Sequence, residues 1–124
     1  MMIEIEEAIV SLREDGIVHV HFKEFVEITV ELQGRMYDIY NEICGHDHKP
    51  FFFTADDFVS VTKEARENAI IMEGLYPGSA SAVLVTSIAY KLIANFYMMV
   101  NKPKSPYRVF NNEEEAVEWL KTYL

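Results

Sequence analysis

The period of the apolar residues changes along this chain, and that change limits its fold more tightly than any single motif. In "AIVSLREDGIVHVHF", Ala8, Val10 and Leu12 fall at every second position, "REDG" interrupts them, and Val18, Val20 and Phe22 resume the alternation. A period of two belongs to half-buried strands, and turn residues between two such runs predict an antiparallel hairpin. From Thr29 to Cys44 the interval lengthens, with Leu32, Met36, Ile39 and Ile43 at helical spacing. Thr29 can cap that helix, and Gly45 suits the left-handed position just past its end.

Strand and helix signals alternate after this point. "PFFFTADD" is a short apolar strand followed by two aspartates able to cap a helix, and "SVTKEARENA" has the composition of a short, mostly exposed helix. "GLYPGSA" reads as a loop, "SAVLV" as a fully buried strand, Thr86 or Ser87 as the cap of the next helix, and "YRVF" as a last strand. A terminal helix starts at Asn112, with Glu115 at capping-box spacing and Ala116, Val117, Leu120 and Leu124 as its buried stripe. The order predicts an α/β fold with a mixed sheet, antiparallel at the opening hairpin and parallel afterwards, with helices as crossovers. Neither a repeat nor a long linker divides the 124 residues, so one domain over 1–124 is expected.

The helix after "SAVLV" poses a packing problem. "SIAYKLIANFYMMVNKP", Ser87 to Pro103, is apolar on nearly every side, yet Lys91 and Asn95 interrupt it and it is shorter than the roughly 20 residues a membrane span needs. Ile88, Leu92, Phe96 and Met99 make one stripe for the sheet. A second stripe, Tyr90, Ile93, Tyr97 and Val100 with Ala89 beside them, needs another cover. The chain's own helices, a homodimer or other protein partner, and an apolar ligand are the three candidates.

Charge narrows the partners. Twenty acidic residues against eleven basic ones give a net charge of -9, which repels nucleic-acid phosphates and anionic lipid surfaces. Cys44 is the only cysteine, so neither an intramolecular disulfide nor a cysteine zinc cluster is expected. "MMIEIEEAIV" lacks the basic start and continuous apolar core of a signal peptide, and a cytoplasmic location is the expectation. At a helix end Cys44 is expected to be a packed, inert thiol.

Polar candidates fall in two groups. His19 and His21 share one face of a strand, and His46, Asp47 and His48 lie in a loop, a set able to hold a metal ion. Strand alternation puts the two histidines on the half-exposed side, so a metal is not expected. The carboxyl ends of the parallel strands, where open α/β sheets usually bind ligands, offer Thr54, Asp56, Thr86, Ser87, Asn111 and Asn112. Each is also a good helix cap, and Asp56, Asp57 and Glu113 oppose an anion there. The acidic start of "NNEEEAVEW" complements a helix dipole. No Gly-rich phosphate loop, Gly-x-Ser-x-Gly elbow or nucleophile with an evident base is present, so no catalytic residue, cofactor or enzymatic activity is expected.

The second half, about residues 54 to 124, resembles the STAS-like, SpoIIAA-like group of small bacterial proteins. The likeness rests on "IANFYMMVNKP", "YRVF" and "EEEAVEWL", which are packing and capping patterns. It implies a mixed sheet flanked by helices. STAS domains that antagonise anti-sigma factors carry a phosphorylatable serine in an Asp-Ser-Ser-Gly-like turn. The comparable turn here, "TADDFVSVT", has no Ser-Gly pair, so no phosphoserine is carried over. The resemblance and the second apolar stripe together predict a non-catalytic interaction or regulatory module acting by protein association. The alternative is a binding domain for a lipid or other apolar ligand.

Overall fold

A computed structural model of the chain describes residues 1–86 and 105–124. Its strands are β1 (Met2–Glu4), β2 (Ala8–Leu12), β3 (Val18–Phe22), β4 (Glu27–Ile28), β5 (Lys49–Ala55), β6 (Ser60–Val61), β7 (Gly78–Leu84) and β8 (Tyr107–Phe110). The described helices are α1 (Val30–Cys44), α2 (Lys63–Met72) and α3 (Glu113–Lys121).

The hairpin forms as its alternation predicts. Arg13 N donates to Ile17 O at 2.9 Å and Gly16 N to Arg13 O at 3.0 Å. Gly16 takes a φ of 89°, which its missing Cβ makes easy. The main sheet runs β1-β2-β3-β5-β7-β8, antiparallel from β1 to β3 and parallel from β3 to β8. This is the mixed α/β sheet expected, with the opening hairpin as its antiparallel part.

Each helix is capped by a side chain the local sequence supplies. Thr29 accepts from Leu32 N at 3.1 Å, Thr62 from Ala65 N at 3.0 Å and Asn112 from Glu115 N at 3.0 Å. Asp56 and Asp57 are therefore not the caps of α2. The chain first makes β6, which pairs in parallel with β4 in a separate two-stranded sheet. Four further details depart from expectation. β1 is an added edge strand whose three residues are too few to show a period, and β4 and β6, at two residues each, show none. "GLYPGSA" is only partly a loop, because Glu73–Leu75 forms a 3-10 turn and β7 already starts at Gly78. Leu124 is exposed, since α3 ends at Lys121 and the stripe stops at Leu120.

Register sorts the sheet into two unlike faces. Val10, Val20, Phe53, Val83 and Val109 align across the strands on one face, with Phe51, Ser81 and Tyr107 in a parallel row. There α1 buries Leu32, Met36, Ile39 and Ile43 against β2 and β3. Ser11, His19, Phe52, Ala82 and Arg108 align on the opposite face. On that side α3 lays Ala116, Val117 and Leu120 on Phe52, Ala80, Ala82 and Phe110.

Candidate functional site

The face that carries α1 and α2 holds a hollow lined by described residues. Between α1, α2 and the sheet lies a cavity of about 290 Å³. Its floor comes from Phe22, Phe53, Val83 and Tyr107, one wall from Met36 and Tyr40 of α1, and another from Ala65, Ala69 and Met72 of α2. The gap follows from residue size. α2 turns two alanines at i and i+4 toward the sheet, and of its residues only Ala65 is fully buried. Small side chains on the inward face of α2 fill less of the space over the sheet than longer ones would, and hydrogen bonds tie this helix to α1. Gln33 of α1 donates to Ala65 O at 2.8 Å and accepts from Asn68 at 2.9 Å. This polar tie joins α2 to α1 beside the hollow.

Aromatic rings stiffen the far wall. Tyr40 and Tyr76 each meet Phe51 edge-on at 5.0 Å between centroids, an arrangement favoured by ring quadrupoles. Tyr76 lies directly over Gly78, where any Cβ would collide with its ring. Its hydroxyl shares a hydrogen bond of 2.8 Å with Ser81 Oγ. Burial pushes the Tyr40 phenol well above the ordinary tyrosine range, so it stays neutral. The polar rim includes Glu73, which accepts from Ser105 N at 3.0 Å, and Arg66, which donates to Val61 O at 3.1 Å. A mainly apolar hollow with a few fixed polar groups is the usual form of a small-molecule site, though this one sits at the low end of the roughly 300–1,000 Å³ such sites occupy.

On the opposite face the two groups of polar candidates partly merge. Thr54 Oγ1 lies 2.8 Å from His19 Nε2 and 2.7 Å from His21 Nδ1, and His21 Nε2 lies 3.0 Å from Asp56 Oδ1. Donor counting orients this chain for neutral imidazoles. His21 Nε2-H donates to Asp56, so Nδ1 accepts from the Thr54 hydroxyl, whose oxygen accepts from His19 Nε2-H. His19 also stacks on Phe52 at 5.3 Å. Burial, followed by the neighbouring His21, holds the His19 imidazole below its ordinary value. Thr54 thus links the two imidazoles and Asp56 ends the chain, a polar network on a half-exposed strand.

The remaining predicted residues are scattered. Thr86 and Asn111 are exposed just past β7 and β8, where Val85 N donates to Phe110 O at 2.8 Å. Neither Thr86 nor Asn111 is among the residues that line the cavity. His46, Asp47 and His48 are exposed in the loop after α1. Among the described residues no group of three or more His, Cys, Asp or Glu is placed to hold a metal ion. Cys44 is buried, and burial pushes its thiol up. Among the described residues no helix is long and apolar enough to cross a membrane. Ser87, Ala89, Tyr90, Ile93, Tyr97 and Val100 lie outside the described residues.

The cavity itself was missed by reading the sequence. Its lining comes from segments far apart in the chain, and the one local signal was the Ala65 and Ala69 pair on an otherwise charged helix.

A family described as a domain of unknown function (DUF7793) matches residues 10–124. No curated protein matches the chain. Among solved structures it is similar to an uncharacterized protein of the DUF3478 family with a SpoIIAA-like fold from Shewanella loihica PV-4. That likeness has a TM-score of 0.62 at 12% identity and covers 97% of this chain and 98% of the other. A protein of unknown function from Arthrobacter sp. FB24 shares 26% identity over 95% of each chain, with a TM-score of 0.34.

Proposed function

The chain belongs to the DUF7793 family, and we propose that it is a non-catalytic STAS-like module that binds an apolar small molecule between α1, α2 and the sheet. The observation that carries this reading is the cavity of about 290 Å³ floored by Phe22, Phe53 and Val83. Its lining is mainly apolar, so an apolar occupant gains dispersion contacts with residues such as Phe22, Phe53, Met36 and Ala69 at little desolvation cost. Its size favours a single acyl chain or a small ring system over a bulky cofactor. The Tyr76 hydroxyl and Ser81 would fix the ligand's one polar end.

N-phenyl-1-naphthylamine, a neutral probe that brightens in apolar surroundings, tests the reading. The wild-type protein is expected to show saturable binding at one site per chain. Ala69→Phe places a ring in the hollow and is expected to abolish that signal while leaving the melting temperature close to wild type. Native mass spectrometry is expected to reveal a co-purifying mass of a few hundred daltons. Undiminished probe binding by a folded Ala69→Phe variant would sink the proposal, as would a wild-type protein that neither binds the probe nor carries an adduct.

A further inference from the structure

Phe25 and Phe58 depart from ordinary behaviour in two ways together. They are 70% and 72% exposed, and each holds a φ of 64°, a region bulky L residues seldom enter. Their rings are stacked, with centroids 5.0 Å apart and planes 6° from parallel. The two loops that carry them are tied by main-chain bonds. Phe25 N donates to Asp57 O at 3.2 Å and Ser60 N to Val26 O at 3.0 Å, beside the β4-β6 ladder. The backbone thus spends strain to hold two large apolar rings in water, where local folding forces alone would not keep them.

The surroundings say what could cover them. Glu24, Glu27, Asp56 and Asp57 flank the rings in sequence and are all exposed, within a chain of net charge -9. Exposed aromatic rings with carboxylates beside them in sequence suit a guanidinium, which can stack on a ring while its edge meets a carboxylate. A second copy would bring a like acidic tip against this one, and an anionic bilayer would be repelled by the same charges. We infer that the Phe25-Phe58 pair is a docking clip for an arginine-bearing basic segment of a partner protein. The site is separate from the cavity and does not depend on what the cavity binds.

Fluorescence anisotropy of a labelled peptide of alternating arginine and alanine, measured at low salt, tests it. Wild-type protein is expected to bind this peptide and to ignore its glutamate counterpart. The double variant Phe25→Gly/Phe58→Gly keeps every carboxylate and relieves the left-handed strain, so its melting temperature should hold or rise. Its affinity for the arginine peptide is expected to fall at least about tenfold. Should the glycines lower the melting temperature, Phe58→Asn, which also tolerates this conformation, gives the same reading. Equal affinity of variant and wild type would reduce the clip to plain charge attraction and overturn it. So would failure of the wild type to bind the arginine peptide, or stronger attachment to phosphatidylglycerol vesicles than to the peptide.

Discussion

The two faces of one sheet are packed by opposite means. On the α3 side, Ala80, Ala82 and Ala116 are fully buried, and their small size lets Leu120 and Phe110 close the interface. On the α1 and α2 side the sheet presents Phe51 and Phe53, α1 answers with Tyr40 and Met36, and the described residues line a hollow. Ala65 and Ala69 of α2 line the hollow, where Gln33 ties that helix to α1, so the same residue type that closes a contact on one face borders open space on the other.

Truncation on the sealed face should have the largest effect. Leu120 is fully buried, so Leu120→Ala is expected to cost about 2–5 kcal/mol in chemical denaturation, while the folded variant keeps its binding of N-phenyl-1-naphthylamine. A matched enlargement then tests whether the faces differ in free space. Ala82→Leu meets a closed interface and should cost about 1–3 kcal/mol. Ala69→Leu enters the hollow and should change stability by less than about 0.5 kcal/mol. If both cost the same, the contrast between the faces fails.

Smaller effects lie at the edges of the α3 face. Asn112 caps α3 through Glu115 N, and Asn112→Ala should lower stability by about 1 kcal/mol in the same measurement. His19 gives the weakest effect, read as a pH dependence. Its folded-state value lies below its ordinary one, chiefly through burial. As pH falls through about 6.5, the unfolded chain takes up a proton that the folded chain refuses, so stability drops until the folded value is passed. Above that range the contribution is fully present. His19→Gln should flatten this part of a melting-temperature profile, and an unchanged slope would show that His19 does not contribute.

Local patterns carried most of the architecture. The alternation in β2 and β3, the helical spacing of Leu32 to Ile43 and the caps Thr29 and Asn112 act over a few residues and appear where expected. Misreadings occurred where the signal was short or the contact remote. Asp56 and Asp57 have the chemistry of caps, but two residues of β6 come first and Thr62 takes the role. Thr54 and the two histidines were legible singly. Their union required β3 and β5 to pair with His21 opposite Thr54, a register that no local pattern records.

The sequence by itself determined the class of fold, the caps Thr29 and Asn112 and the net acidic charge, because propensity, capping and charge are properties of neighbouring residues. Tertiary structure alone decided that α1 and α2 line a hollow over the sheet, that Phe25 meets Phe58 and that a histidine pair shares one threonine. Each of these depends on distances between segments brought together only when the sheet assembles.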